Sequence, residues 1–252
     1  MKVTRTTMVL ACGLFLAGCK TMDTGSLGGL VEGASMAAKA SSLSDDEVIA
    51  TSKQACEALD AQNKVADSKN KYAQRLNKVT AKMPTEINGI KAVYKVYLTS
   101  DVNAWAMDNG CIRVYSGLMD AMNDDELRGI IGHEIGHVAL GHSKKSMQTA
   151  YATAAARTVA ANSSNAAVAS LSSSQLGDLG QKFVNAQFSQ SQESAADDHS
   201  FDLLTQKGME RKGLVTGFEK LAKIDGGQHS MLSSHPSSTE RAKRMQARLN
   251  GK

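Results

Sequence analysis

The order of apolar and polar positions divides the chain into helical stretches on either side of one short β-rich stretch. Ser44-Asp45-Asp46-Glu47 resembles a capping box, in which the serine side chain and the glutamate three residues on satisfy each other's backbone N–H groups, and it predicts a helix running towards Ala61. A second helix is expected over 68–83, with Tyr72, Leu76 and Val79 on one face and Pro84 stopping it. The period then shortens. Residues 91–99, KAVYKVYLT, are rich in valine and tyrosine with partial alternation, and read as a strand. Asn103 to Met107 reads as another, Asp108-Asn109-Gly110 as a tight turn and Cys111 to Ser116 as the returning strand, which makes a small antiparallel sheet.

Residues 122–142, MNDDELRGIIGHEIGHVALGH, return to helical spacing. Asn123 and Glu126 form a second capping box, and Asp124, Asp125 and Glu126 suit the positive end of the helix dipole. Leu127, Ile130, Ile131, Ile135 and Val138 supply the apolar face. Gly129, Gly132, Gly136 and Gly141 each cost a helix roughly 1 kcal/mol against alanine, so something is expected to pack very close to this backbone. Residues 143–179 are dominated by Ala, Ser and Gln and read as helix plus loop. Helical patterning resumes from Gly180 through Phe183, Phe188, Ala195, Phe201 and Leu204 to Lys207-Gly208, followed by helices over about 213–224 and 238–249. The fold class is therefore α+β and predominantly helical, with no internal repeat.

Composition agrees with that reading. A chain of 252 residues with 42% hydrophobic content can bury a sizeable core, while 4% aromatics and only Pro84 and Pro236 favour helices. Net charge is +4, but Lys2 and Arg5 fall in a segment expected to be removed, and no basic cluster marks a nucleic-acid footprint. After those two cations comes an apolar run, Met8 to Ala17, too short to span a membrane comfortably. It ends in Leu16-Ala17-Gly18-Cys19, which resembles the lipobox of bacterial lipoproteins. The resemblance implies that residues 1–18 are a signal peptide, that Cys19 is lipidated and that 19–42 tether a domain spanning 43–252. Lys20, not Asp, follows Cys19, which implies sorting to the outer membrane, with the domain facing the periplasm. Cys56 and Cys111 remain as an even pair in an oxidising compartment, and a disulfide between them would contribute about 4 kcal/mol by the loop-entropy account.

The chemistry lies in His133-Glu134-Ile135-Gly136-His137. Residues four apart share a helix face, so two imidazoles can grip one metal ion while Glu134 reaches a water on it. A catalytic zinc needs a third protein ligand and one open position. His142 lies five residues past His137, out of register for a third histidine ligand. Glu193 suits better: with Asp197 it forms an E-x-x-x-D pair on one helix face, Glu193 completing a His₂Glu set and Asp197 accepting the free N–H of a ligand imidazole.

These motifs, with NAWAMDNGCIRVYSGLM, QLGDLGQKFVNAQFSQSQESAADDHS and SSHPSSTER, resemble the HtpX-like zinc metallopeptidases over nearly the whole chain. The resemblance implies a zincin-type α+β domain with one Zn²⁺ on His133, His137 and Glu193, Glu134 as general base and Asp197 behind a ligand histidine. His235 and Arg241 would face the substrate and stabilise developing negative charge. Zinc peptidases commonly hold substrate on an edge strand beside the site, for which Asn103-Ala104-Trp105-Ala106 is the candidate. HtpX itself has membrane-spanning helices, which a lipid on Cys19 would replace here. The expected activity is endopeptidase action on misfolded or stray envelope proteins. The rival is a zinc-containing chaperone or assembly lipoprotein, which would have no need of a base beside the metal.

Overall fold

Ser44 opens the first helix of the computed structural model, which describes residues 43–161, 171–224, 231–235 and 238–251. The expected signal peptide, the tether and Cys19 lie outside the described residues. Helix α1 (Asp45–Gln62) has the reciprocal cap: Glu47 N–H donates to Ser44 Oγ (3.3 Å) and Ser44 N–H to the Glu47 carboxylate (2.9 Å). Helix α2 (Lys71–Val79) is shorter than its pattern suggested. Asn70 caps its start through Tyr72 N–H (2.9 Å), and it ends at Thr80, so turns, not Pro84, stop it.

A two-residue hairpin follows, β1 (Glu86–Ile87) and β2 (Ile90–Lys91), joined by Asn88 and Gly89 at φ 51° and 79°, the left-handed pair that such turns require. The main sheet holds β3 (Val93–Tyr97), β4 (Ala104–Ala106) and β5 (Cys111–Tyr115) in the order β3-β5-β4. Across the Asp108-Asn109-Gly110 turn, β4 pairs with β5 antiparallel, Ala104 opposite Val114. Strand β3 takes the other side of β5 and runs parallel to it, Val93 opposite Cys111. The sheet is thus mixed, because residues 98–103 carry the chain across β5 before it turns back; a period of two says nothing about pairing direction.

Beyond the sheet come α3 (Ser116–Ala121), α4 (Asp124–Ala139), α5 (His142–Ala161) and α6 (Ser173–Val184). Next are α7 (Gln190–Gln206), α8 (Lys212–Leu221), the short α9 (Met231–Ser234) and α10 (Ser238–Leu249). The helical pattern resuming at Gly180 is two helices, α6 and α7, separated at Asn185 and restarted by a Ser189–Gln192 capping box. Helix α4 has its predicted cap, Asn123 Oδ1 accepting from Glu126 N–H at 2.9 Å. Among the described residues no helix is long and apolar enough to cross a membrane.

Helix α4 sits in the middle of the molecule. Its Leu127, Ile130, Ile131, Ile135 and Val138 pack with Ile112 and Val114 of β5 and Phe218 of α8 in the larger core. A second core gathers Leu59 of α1, Trp105 of β4, Met147 of α5 and Phe183 of α6. There Cys56 and Cys111 form a disulfide that ties α1 to β5. Beside it the buried Arg113 makes a two-pronged pair with Asp60 of α1 (2.8 and 2.9 Å), joined by Lys95 and the Tyr97 hydroxyl. Burial alone would raise the Asp60 pKa, but Arg113 and Lys95 hold it below the usual range.

The glycines of α4 face close neighbours as expected. A methyl on Gly129 would stand 2.8 Å from Leu214 Cα, one on Gly132 2.6 Å from Ser200 Oγ and one on Gly136 3.0 Å from the Ala196 carbonyl oxygen. Gly141 differs: no atom lies within 4 Å, and φ +73° is its reason. Gly129→Ala sets a helix-propensity gain of about 1 kcal/mol against overpacking of typically 1–3 kcal/mol. Because the clash is with backbone that cannot rotate away, a net loss on the order of 1–2 kcal/mol is expected, measured by urea unfolding.

Candidate metal centre

One turn apart on α4, His133 and His137 turn towards α7, their Nε2 atoms 3.0 Å from each other. The first turn of α7 delivers Glu193, whose Oε1 lies 3.3 Å from His137 Nε2 and whose Oε2 lies 3.6 Å from His133 Nε2. From the end of α9 comes His235, its Nδ1 3.2 Å from His133 Nε2 and 2.9 Å from Glu193 Oε1. These four residues are buried, and their donor atoms all lie within 4.8 Å of one another. His142 is outside that set.

Each ring is held from behind. His133 Nδ1 is 2.9 Å from Asp197 Oδ1, and Asp197 is gripped by Arg241 of α10 through Nη2 (2.7 Å) and Nε (3.0 Å). Arg241 Nη1 also lies 2.6 Å from Glu193 Oε2, although not aligned as a hydrogen bond, and its guanidinium sits 4.0 Å over the Phe218 ring. His137 Nδ1 is 3.1 Å from His142 Nδ1, and Phe188 stacks on the His137 ring at 3.8 Å. The sequence alone assigns neither contact: Phe188 is one apolar position among others, and its place in the break between α6 and α7 is the signal that marks it.

Burial drives the titration of the site. It keeps His133 neutral, pushing its pKa well below the ordinary value with help from Arg241, and lowers His137 to about 4. Glu134 is raised to about 7, again chiefly by burial. Burial opposes ionisation of Glu193 too, but His235 and His137 outweigh it and hold that carboxylate ionised. In His235 the balance reverses: burial disfavours the cation, and Glu134 and Glu193 nevertheless raise its pKa. Asp197 is raised by burial, with Arg241 pulling against it.

Protons on the Nδ1 atoms of His133 and His137, each facing an acceptor, leave two Nε2 lone pairs pointing at each other across 3.0 Å. A metal ion would take up both lone pairs; without one, His235 Nδ1 and Arg241 Nη2, each 3.2 Å from His133 Nε2, are the donors within reach. Two imidazoles and a carboxylate suit zinc, so the residues fit the ion the motif implies. Glu134 Oε1, buried beside the donors with no hydrogen-bond partner, is a free acceptor next to where a bound water would stand.

Asn103, Ala104, Trp105 and Ala106 do form an edge, since β4 is the outer strand of the sheet. Tyr115 N–H donates to the Asn103 carbonyl and Met107 N–H to that of Cys111, so the Ala104 and Ala106 backbone groups face away from β5. Two of those are occupied: Ala104 N–H by Asn103 Oδ1 and the Ala106 carbonyl by Ser143 Oγ.

Residues 68–249 match the model of Peptidase family M48. Metalloprotease LoiP of Escherichia coli (strain K12) is 50% identical over 99% of this chain and 98% of its own length, and Metalloprotease YcaL of the same strain is 47% identical over the same shares. A putative beta-barrel assembly-enhancing protease of Vibrio cholerae is 25% identical over 66% of this chain and 36% of that protein.

The raised Glu134 pKa has a stability consequence in the metal-free protein. A folded value of about 7 against an ordinary 4.5 means the folded chain holds this proton more tightly. The associated stability is fully present below pH 4.5 and lost as pH rises through 7. Metal-free Glu134→Gln, which never ionises, should gain on the order of 3 kcal/mol over the metal-free native chain between pH 5 and pH 8, read from urea melts in chelator.

Proposed function

This chain belongs to peptidase family M48 and is a metalloendopeptidase; from that premise we propose that it is zinc-dependent, uses Glu134 as general base and cleaves misfolded or stray proteins of the cell envelope. The observation that carries the mechanism is the Glu134 carboxyl, buried, without a hydrogen-bond partner at Oε1 and raised to about 7, beside four clustered donors. A general base works best when its pKa lies near the working pH.

His133, His137 and Glu193 would hold the ion, which when bound supplies Lewis-acid polarisation of a water and of the scissile carbonyl. Glu134 accepts the proton of the attacking water at Oε1 and returns it to the leaving amine. Its carboxyl can do this because no other donor occupies that oxygen. His235, whose Nε2 stands 3.6 Å from Glu134 Oε1 and whose cationic form is favoured by its carboxylate neighbours, stabilises negative charge building on the carbonyl oxygen. Arg241, expected to face the substrate, is instead buried behind the ligands and paired with Asp197 and Glu193, whose charges it balances. Asp197 fixes the tautomer of His133. The edge of β4 is the candidate for lining up an extended substrate through the Ala104 carbonyl and Ala106 N–H. Asn103, Ala104, Trp105 and Ala106 are all buried, so this edge would have to be uncovered first.

The envelope setting rests on the lipobox-like Leu16-Ala17-Gly18-Cys19, with lipid on Cys19 holding the domain at the outer membrane, facing the periplasm. The disulfide, at home in an oxidising compartment, and the likeness to a protease named for beta-barrel assembly support it.

Glu134→Gln should retain zinc and lose about 100- to 10,000-fold in hydrolysis of an unfolded protein. Cleavage at the native rate by the purified variant would remove Glu134 from the mechanism, and equal client protection by both would favour a holding role. His133→Ala should lose metal and activity together, checked by elemental analysis. Cys19→Ala should move the chain from the membrane fraction to the soluble one.

A further inference from the structure

Among the groups around the site, His142 has no part in the mechanism above, yet it touches a ligand. We propose that His142 is a positioning residue for His137, a neutral imidazole acceptor that fixes the tautomer and ring orientation of that ligand. The proposal rests on the reading of His137 as a zinc ligand.

The local fold is built to make this contact. Helix α4 ends at Leu140, and Gly141 at φ +73° reverses the chain so that α5 begins at His142. A side chain at Gly141 would have ample room, so the glycine serves the backbone conformation. The reversal folds the His142 ring back against His137, centroids 5.2 Å apart and Nδ1 atoms 3.1 Å apart.

Only one of those two nitrogens can carry the shared proton. If His142 donated, the remaining proton of neutral His137 would sit on Nε2, aimed at His133 Nε2 (3.0 Å) and Glu193 Oε1 (3.3 Å), where a cation needs a lone pair. With His137 donating instead, Nε2 is free to coordinate, and His142 accepts at Nδ1. Phe188, stacked on the face of the His137 ring at 3.8 Å, keeps that ring from turning over. The two ligand histidines are thus held by unlike acceptors: a carboxylate, Asp197, behind His133 and a neutral ring behind His137. Carboxylate partners raise the basicity of a ligand imidazole more than neutral ones do. One neutral partner also spares a pocket already holding Glu134, Glu193 and Asp197 a fourth buried acid.

The test is zinc affinity of the full chain, by competition with a chromophoric chelator, for the native protein, His142→Phe, His142→Asn and His133→Ala. Loss of a partner behind a metal ligand typically costs about 10- to 100-fold in metal affinity, and His142→Phe should fall by that much with an unchanged far-ultraviolet spectrum. His142→Asn, whose Oδ1 can stand where Nδ1 does, should recover most of the affinity. At saturating zinc the phenylalanine variant should lose kcat with KM unchanged. Should that variant not fold, His142→Leu makes the same comparison. Native affinity in His142→Phe, or equal weakness in the asparagine and phenylalanine variants, overturns the proposal while His133→Ala has lost zinc. Zinc held as tightly by His133→Ala would instead overturn the ligand set beneath it.

Discussion

The backbones of α4 and α7 pass each other at Gly132 and Gly136, where even a methyl group would meet Ser200 Oγ at 2.6 Å and the Ala196 carbonyl at 3.0 Å. Ser200 sits in that contact and donates to the Gly129 carbonyl at 2.8 Å, so the two helices are joined as well as close. The spacing decides what the site can be. Glu193 and Asp197 lie one turn apart on α7, as His133 and His137 do on α4, and only at this separation do the acids reach the rings. Metal coordination tolerates errors of about 0.2 Å, far less than the shift a side chain would force between the helices. Packing and chemistry are set by the same few atoms.

Desolvation then tunes what the packing has assembled. Burying charges is expensive, and a buried pair deprived of one partner is worse than no pair at all. Here Glu193 and Asp197 share one buried cation, Arg241, and the remaining imbalance falls on Glu134 and His235, whose pKa values are both raised. A carboxyl that is neither firmly charged nor firmly neutral can both take and return a proton. Its neighbours give Glu134 that character, while the H-E-x-x-H spacing gives only its place.

Much of this was legible in the chain. The capping boxes at Ser44 and Asn123 announced their helices, because such signals depend on residues within one turn of each other. Gly132 and Gly136 of α4 announce a close neighbour, and the spacing of Glu193 and Asp197 points to the helix that supplies it. What depended on distant residues was hidden. Nothing in the alternation of β3 said that it would lie parallel to β5, and the end of α2 before Pro84 reflects turn geometry, not helix propensity. The break between α6 and α7 lay inside an unbroken apolar pattern, so Phe188 read as one more core residue and not as the ring against His137. Register excludes His142 as a ligand, but register cannot tell a bystander from a residue that holds a ligand in place.

Arg241 stands 108 residues beyond His133, on the final helix of the described chain. The donors for the ion have all been made by His235, yet the cation that satisfies the acids behind them belongs to α10. The donors and the charge that satisfies the acids behind them thus come from helices far apart in the sequence. Docking of α10 therefore completes the electrostatics of the site, because without Arg241 both Asp197 and Glu193 would be buried acids wanting their counter-charge.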